Sequence, residues 1–463
     1  MLRASKTRHM AVSLNPKHDQ AVQSLDDLLE PFHEACKPKE QFRIGTEAEK
    51  FGVSLADGSP IPFEGPRGVR AILGELADRH GWTEEAEFEG GEVISLKRGQ
   101  ASITLEPGGQ LELSGAPQET MHQTCAEFRG HMAELREISD QFGVAWLGLG
   151  FHPFAKPADM PWVPKLRYGI MRKYLPTVGS RALDMMQRTA TVQANYDYLN
   201  EADAMKKLRV ALKLAPITTA IFANSPFVEG RRGNELSHRA WVWLDVDNNR
   251  AGLLPFAWKK DARFADYVNW ALDVPMFMVK RGSEVVHNTG QTFRSFMKDG
   301  FQGHRATKLD WETHLNTLFP EVRLKRTLEV RGADGQQTAL LCALPSLWTG
   351  IFYDEEALAK AEALAEPITF ESAQAARLDI ATHALRAKLG GKAVADWANE
   401  MLAIAMDGLH RRALLSRDGN DETVHLARLQ ALVAKGQSPA DALVEGIDLN
   451  ADLYAQVMTK GLV

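Results

Sequence analysis

In the run Phe42-Arg43-Ile44-Gly45-Thr46-Glu47-Ala48-Glu49-Lys50-Phe51-Gly52, two carboxylates flank a single residue in a stretch that reads as a β-strand. Side chains alternate across a strand, so Glu47 and Glu49 share one face. Like charges that close repel, and a strand interior is a poor place for Glu. A cation between them, such as a divalent metal carrying nucleotide phosphates, fits the pair; a solvated strand face is the plain alternative. The device recurs. In Ile103-Thr104-Leu105-Glu106-Pro107-Gly108-Gly109-Gln110-Leu111-Glu112-Leu113-Ser114, the turn at Pro107–Gln110 folds two strands back. It brings Glu106 and Glu112 together near its tip, and its Gly-Gly pair lets backbone approach a ligand.

Two further runs mix polar groups on one face. Over Thr191–Tyr198, Thr191, Gln193, Asn195 and Asp197 fall opposite Val192, Ala194, Tyr196 and Tyr198. That is either the wet side of an antiparallel sheet or a cleft lining of short donors and acceptors. Over Leu324–Gly332, Glu329 and Arg331 share a face. They read as a surface ion pair of little worth, or as a metal ligand beside a guanidinium fork for phosphate or carboxylate. Other arginines supply complementary charge. Arg167 and Arg172 bracket Tyr168–Met171, Arg231 and Arg232 follow Asn224-Ser225-Pro226-Phe227, and Arg239 and Arg250 flank Trp241-Val242-Trp243. Singly, each reads as a solvated surface residue. On the same segment as the acids, they suit an amino-acid carboxylate together with ATP. No Gly-x-x-x-x-Gly-Lys-Ser/Thr phosphate loop is present, which excludes a P-loop enzyme.

The elements that position these residues form three textures. Residues 21 to about 40 predict a helix with Leu25, Leu28, Leu29 and Phe32 on one face, ending near Pro38. From 42 to about 353, short strands alternate with helices and Gly/Pro turns. Strands are predicted at Val93–Lys97, Ala101–Glu106, Gln110–Ser114, Val144–Leu149, Thr191–Tyr198, Arg239–Asp245, Met276–Lys280 and Leu324–Val330. Turns such as Pro107-Gly108-Gly109 predict antiparallel hairpins rather than repeated βαβ units. From about 354 to 463 the chain is Ala- and Leu-rich and reads as successive helices, with Ser438-Pro439 as one helix start. The expected class is α+β: residues 21–463 as a single catalytic domain, preceded by a flexible tail over 1–20.

Composition narrows the function classes. The chain has 463 residues, 44% hydrophobic and 25% charged, with a net charge of −6 and no basic block, which argues against a nucleic-acid scaffold. No apolar run is long enough to span a bilayer. Met1–His18 is basic and polar without an apolar stretch of secretory-signal length. These features predict a cytoplasmic protein with no membrane partner. Cys36, Cys125 and Cys342 are too few and too scattered for a disulfide framework or a zinc site, and three reduced thiols are the plain reading.

The runs Arg43–Gly52, Leu105–Pro117, Arg167–Met186, Thr191–Asp197, Phe222–Phe227 and Thr327–Asp334, together with Leu341-Cys342-Ala343-Leu344-Pro345, resemble glutamate–cysteine ligase of the plant and proteobacterial type. The resemblance runs in order from about residue 21 to the C-terminus. It implies a glutamine synthetase-like fold, an antiparallel sheet curved into a funnel for ATP and glutamate. It implies Mg²⁺ held by Glu47, Glu49, Glu106, Glu112 and Glu329. It further implies catalytic arginines at Arg231 and Arg239, and ligand-binding roles for Arg167, Arg172, Gln193, Asn195 and Arg331. Gln193 stands where a distant branch has a metal-binding His. The implied reaction joins the γ-carboxylate of L-glutamate to the amine of L-cysteine through a γ-glutamyl phosphate, the first step of glutathione biosynthesis, in a monomer or homodimer. Cys125 and Cys342 match a pair that forms a disulfide in plant relatives, while Asn288 occupies one position of a second pair. A sister ligase using a different amine, or a silent nucleotide- or amino-acid-binding protein, are the alternatives.

Overall fold

A computed structural model describes residues 9–10, 20–88, 90–281, 284–449 and 451–462. Its frame is an open sheet of ten strands. Nine are numbered here: β1 (Ile44–Ser54), β2 (Thr83–Ala86), β3 (Val93–Arg98), β4 (Ala101–Leu105), β5 (Leu111–Ser114), β6 (Val144–Leu147), β7 (Thr191–Tyr196), β8 (Val322–Leu324) and β9 (Leu328–Asp334). The spatial order is β2-β3-β4-β5-β1-β7-β9-β8, with β6 paired to the far end of β1. The tenth strand, His9–Met10, lies parallel to β2, and every other pairing in the sheet is antiparallel. The expected antiparallel α+β class is observed. The rest of the expected tail over 1–20 falls almost wholly outside the described residues.

The hairpin between β4 and β5 shows why its residues fold locally. Glu106 N–H donates to Gln110 O at 2.9 Å, and Gly109 has φ of 81°, the left-handed region that glycine enters without strain. The sequence suggests that this Gly-Gly pair admits a ligand, but at Gly108 the space is taken by protein backbone. A Cβ there would collide with the backbone of Gln187, so this glycine lets two protein segments meet. The Gln110 amide then ties the turn to Thr189 O at 2.8 Å.

Alternation sorts the sheet into two faces. Ala48, Leu111, Leu113, Val192, Ala194 and Tyr196 turn to the back and are buried. The helices around the sheet include α1 (Leu25–Glu34), α2 (Met121–Phe142), α3 (Leu166–Tyr174), α4 (Glu201–Ile221), α5 (His238–Trp243), α6 (Ala343–Phe352) and α7 (Val394–Arg412), of which α2 and α6 cover this back face. Tyr196 Oη donates to Pro345 O of α6 at 2.8 Å, and Lys50 Nζ lies 3.3 Å from His131 Nε2 of α2. Among the described residues no helix is long and apolar enough to cross a membrane.

Four predicted elements differ. The helix expected over 21–40 is shorter, α1, starting after Ser24. The strand expected over Leu324–Val330 is a hairpin, since Lys325 N–H donates to Thr327 O at 2.8 Å and separates β8 from β9. The strand expected at Arg239–Asp245 is α5. Its Trp and Val content favours a strand, but the Ser237 hydroxyl accepts from Ala240 N–H at 3.1 Å and starts a helix, a cap worth about 1 kcal/mol. The strand expected at Met276–Lys280 is Val279–Arg281, paired with Glu284–Val286. The C-terminal part is helical as expected, with Ser438 capping at Pro439, except for a short hairpin of Lys388–Leu389 with Lys392–Ala393.

Candidate active site

The front face of the sheet floors a cleft of about 540 Å³. Register sets its floor. Glu49 stands directly across from Glu112, and Glu47 across from Gln193. A bulge in β9 places Arg331 and Gly332 between the pairs Val330–Ala194 and Ala333–Val192, so Arg331 faces Gln193 and donates to its amide oxygen. Glu47, Glu49, Glu106, Glu112, Gln193, Arg167, Arg239 and Arg331 all line the cleft.

Fixed hydrogen bonds aim the acids. Glu49 accepts from Thr191 N–H at 3.0 Å, and Glu47 accepts from the Asn195 amide at 3.0 Å. Glu112 accepts from the Thr104 and Ser114 hydroxyls at 3.0 and 2.8 Å. Opposite-pair like charges in a sheet are unfavourable, and the protonation behaviour records it. Burial, then Glu329 and Glu112, push Glu47 up to about 7. Burial, then Glu106 and Glu112, hold Glu49 well above the usual carboxylate range. Burial and then Glu106 raise Glu112. Among the described residues, none of these four carboxylates forms an ion pair, whereas Arg323, Lys325 and Arg331 pair with Glu329.

Glu329 differs from the metal role that the resemblance implies for it. It is fully buried, and Arg323 grips it through Nε and Nη2 at 3.0 and 2.9 Å to Oε2 and 3.0 Å to Oε1. Lys325 lies 3.1 Å away and Arg331 closes the cluster. Burial alone raises its pKa, but Arg323, Lys325 and Arg331 together hold it well below the usual range.

Arg239 enters from α5. Its backbone N–H donates to Ser225 Oγ at 3.1 Å and its Nη2 to Arg331 O at 3.0 Å, while its buried Nε has no protein partner. Beneath it, Asp334 accepts from the Ser225 and Ser237 hydroxyls at 2.6 and 2.8 Å and from Asn224 N–H at 2.7 Å. This explains the Asn224-Ser225 run as a support for Arg239.

Some expected residues are not brought to the cleft. Asn195 lies behind Glu47, and Asp197 leaves the polar row to pair with Lys37 at 2.8 Å. Arg172 stacks on Trp162 with its guanidinium carbon 4.3 Å from the ring centre. Arg231 is exposed on a two-residue strand paired with Phe227–Val228. Conversely, Lys165, Lys280 and Arg323 line the cleft and went unnoticed in the sequence. Lys165 Nζ donates to Leu105 O at 2.7 Å; burial, then Arg167, push it down to about 8. Placing the turn at Lys325–Thr327 would have put Arg323 opposite Glu329 from the sequence alone.

The fold joins Cys125 and Cys342 in a disulfide and leaves Cys36 free and half-buried.

The chain is thus an α+β protein whose open antiparallel sheet floors a cleft lined by carboxylates and guanidinium groups. The model of glutamate-cysteine ligase family 2 (GCS2) matches residues 43–459, and the chain belongs to that family of ligases. It is similar to glutamate–cysteine ligase B, chloroplastic, of Oryza sativa subsp. japonica, 44% identical over 442 residues that cover 94% of this chain and 87% of the relative. It is also similar to glutamate–cysteine ligase, chloroplastic, of Medicago truncatula, 42% identical over 453 residues, covering 96% and 87%. The crystal structure of a Francisella tularensis glutamate–cysteine ligase in complex with AMP superposes with a TM-score of 0.51 at 12% identity, covering 91% of this chain and 87% of that one. That likeness is one of fold. Both of these plant relatives are named chloroplastic, which overturns the cytoplasmic expectation.

Proposed function

We propose that this chain forms γ-glutamylcysteine from L-glutamate, L-cysteine and ATP by way of a γ-glutamyl phosphate, as the first step of glutathione biosynthesis. One observation carries the reading: four glutamates face one cleft without ion-pair partners among the described residues, beside a buried arginine with an unsatisfied donor. The names of the plant relatives support the acid and the amine, and the AMP complex of the solved ligase supports the nucleotide.

The chemistry explains the need for such a site. A γ-carboxylate is a poor electrophile, and an amine does not displace its oxygen. Transfer of the ATP γ-phosphoryl group to a carboxylate oxygen releases ADP and gives the acyl carbon a phosphate leaving group. The cysteine amine attacks that carbon, the amide bond forms, and phosphate departs as the amine sheds its proton. The protein acts by positioning and electrostatics.

The donor set fits Mg²⁺, since every candidate ligand is a carboxylate oxygen and, among the described residues, none of the four is taken up in an ion pair. Glu47, Glu49, Glu106 and Glu112 would hold the metal, which neutralises phosphate charge when bound. Asn195 holds Glu47, and Thr104 and Ser114 hold Glu112, so these carboxylates are aimed in advance. Arg239 and Arg331 offer guanidinium donors to phosphate or carboxylate, and Gln193 orients Arg331. Arg167 and Lys165 add positive charge beside Glu106. Glu329 has both oxygens taken by Arg323 and its neighbours, so we assign it to organising those cations. We read residues 21–463 as one catalytic unit, with the helical part from about 354 backing the sheet.

Glutamate labelled with ¹⁸O in the γ-carboxylate tests the route. One labelled oxygen is expected in the released phosphate, and ADP formation is expected to require Mg²⁺, glutamate and cysteine together. Unlabelled phosphate during dipeptide synthesis rules out the acyl phosphate. Faster turnover with another amine moves the assignment to a sister ligase.

A further inference from the structure

The Cys125–Cys342 bond has a histidine beside it. Cys125 lies on α2 and Cys342 caps α6, their Cα atoms 5.9 Å apart. His425 Nδ1 lies 3.3 Å from the Sγ of Cys125. On its other side, His425 Nε2 lies 3.0 Å from Nδ1 of His122, and His122 Nε2 lies 3.3 Å from the carbonyl oxygen of Leu414.

This chain of contacts assigns the protons. A carbonyl oxygen only accepts, so His122 carries its proton on Nε2 and presents a bare Nδ1. His425 therefore donates from Nε2 and turns a bare Nδ1 toward the sulfur. A disulfide sulfur has no proton to give, so this lone pair is left without a donor. A neutral ring, oriented by a hydrogen bond through one nitrogen and bare at the other, is how proteins hold a metal-ligating histidine.

We propose that, once the disulfide is reduced, Cys125, Cys342 and His425 bind a thiophilic divalent cation, Zn²⁺ suiting the set, with water as fourth ligand. The ligand atoms of these three residues already lie within 4.8 Å of one another. Tetrahedral zinc, with bonds of about 2.3 Å to sulfur and about 2.0 Å to nitrogen, wants its donors roughly 3.5 Å apart, close to the 3.3 Å found between Cys125 and His425. Sequence spacing hides the set, because Cys125 is 217 residues from Cys342 and 300 from His425; the expectation against a zinc site rested on that spacing. The site differs from the cleft in place and in chemistry. It sits on the back face of the sheet, between α2 and α6, and offers sulfur and nitrogen where the cleft offers oxygen.

The steps balance. A dithiol reductant delivers two electrons and two protons to the S–S bond and leaves as its own cyclic disulfide. As the cation binds, the two thiols lose those protons to solvent and bind as thiolates, while His425 supplies its lone pair and the metal keeps its oxidation state. With both sulfurs coordinated, the disulfide cannot re-form until the cation leaves, so metal and disulfide exclude each other.

The full chain is reduced with a dithiol, freed of reductant under anaerobic conditions, and titrated with Zn²⁺ against a chromophoric chelator, with excess Mg²⁺ to occupy the cleft carboxylates. One Zn²⁺ per reduced chain is expected, with the oxidised chain binding about a hundredfold more weakly or worse. Loss of His425 as a ligand in His425→Gln is expected to weaken binding by about tenfold or more, while Cys36→Ser leaves it unchanged. Co²⁺ in place of Zn²⁺ is expected to give thiolate-to-cobalt absorption only in the reduced chain. Zn²⁺ is also expected to slow the return of the disulfide in air. Equal affinity of reduced and oxidised wild-type chain overturns the proposal without reliance on any variant. Unchanged affinity in His425→Gln, or its loss in Cys36→Ser, overturns the ligand set.

Discussion

Glu49 on β1 and Glu329 on β9 are buried glutamates of one sheet, separated only by β7, yet they stand in opposite electrical situations. Glu49 faces Glu112 across the strand pair, takes a single backbone N–H, and is held well above the usual carboxylate range by burial and by Glu106 and Glu112. Glu329 is enclosed by Arg323, Lys325 and Arg331 and held well below it. A buried charge costs several kcal/mol unless it is paired. At Glu329 the protein supplies the partners itself. Around Glu49, Arg239 and Arg331 act only through space and no ion pair forms among the described residues, which leaves the carboxylate open to an incoming cation. Acid content alone does not separate a structural cluster from a binding floor; the presence of fixed counter-ions does.

The largest expected effect tests the structural half of this contrast. Glu329→Gln leaves two guanidinium groups and an ammonium group in a buried site without their anion, a loss of about 3–5 kcal/mol of stability. Urea unfolding at neutral pH measures it. The sign of the pH dependence follows from the lowered pKa. A depressed carboxylate stabilises the fold fully above its ordinary value of 4.5 and loses that contribution as pH falls through its folded value. The gap between wild type and variant is therefore flat down to about that pH and closes in stronger acid. A gap that widens in acid contradicts the ion cluster.

The binding half is tested by Glu49→Gln. Removing one of several repelling, desolvated carboxylates leaves the unfolding midpoint without Mg²⁺ unchanged or raised. Turnover is expected to fall by about a hundredfold or more, because metal and phosphate charge lose a counter-ion. Thermal protection by Mg²⁺ with ATP, which follows from binding to the folded state, is expected to shrink. Near-normal turnover at saturating Mg²⁺ and ATP would return Glu49 to a plain strand face.

Arg239→Lys keeps the charge and changes only its geometry. An ammonium cannot reproduce a fork in which Nη2 bonds Arg331 O while Nε remains free for a ligand. A fall of roughly tenfold in kcat/KM is expected, about 1.4 kcal/mol, with the unfolding midpoint little changed. Varying ATP and glutamate separately shows which ligand Arg239 meets, and unchanged constants for both remove it from the site.

The legibility of these residues from sequence followed the range of the forces that place them. Glu47 with Glu49, and Glu106 with Glu112, depend on strand alternation and one glycine turn, both local and readable. The Arg323–Glu329 pair stayed hidden because a three-residue turn lies inside what reads as one strand. Arg239 is legible as a residue but not as part of a helix, since its helix depends on a Ser237 cap and on Asp334 at the end of a distant strand. Gly108 was recognised as a close approach, but the approaching partner, Gln187, was beyond local pattern. The Cys125–His425 contact depends wholly on tertiary packing.

The smallest expected effect separates two arginines that the sequence treats alike. Arg231 and Arg239 both follow the Asn224-Ser225 run, and resemblance to the ligase family gives both a catalytic role. In the fold Arg239 is buried in the cleft wall, whereas Arg231 is exposed on a two-residue strand outside it. Exposed substitutions away from caps, pairs and cavities change stability by less than about 0.5 kcal/mol. Arg231→Ala is expected to stay within that range and to keep kcat and both KM values near wild type. Steady-state kinetics at two ionic strengths sharpens the test, because a distant surface charge acts only through a field that salt screens over roughly 10 Å. A loss in kcat that persists at high salt would mean that Arg231 reaches the reacting groups when substrates bind, and that its strand moves toward the cleft. The contrast between a wall fixed in advance and an exposed hairpin would then have to be redrawn.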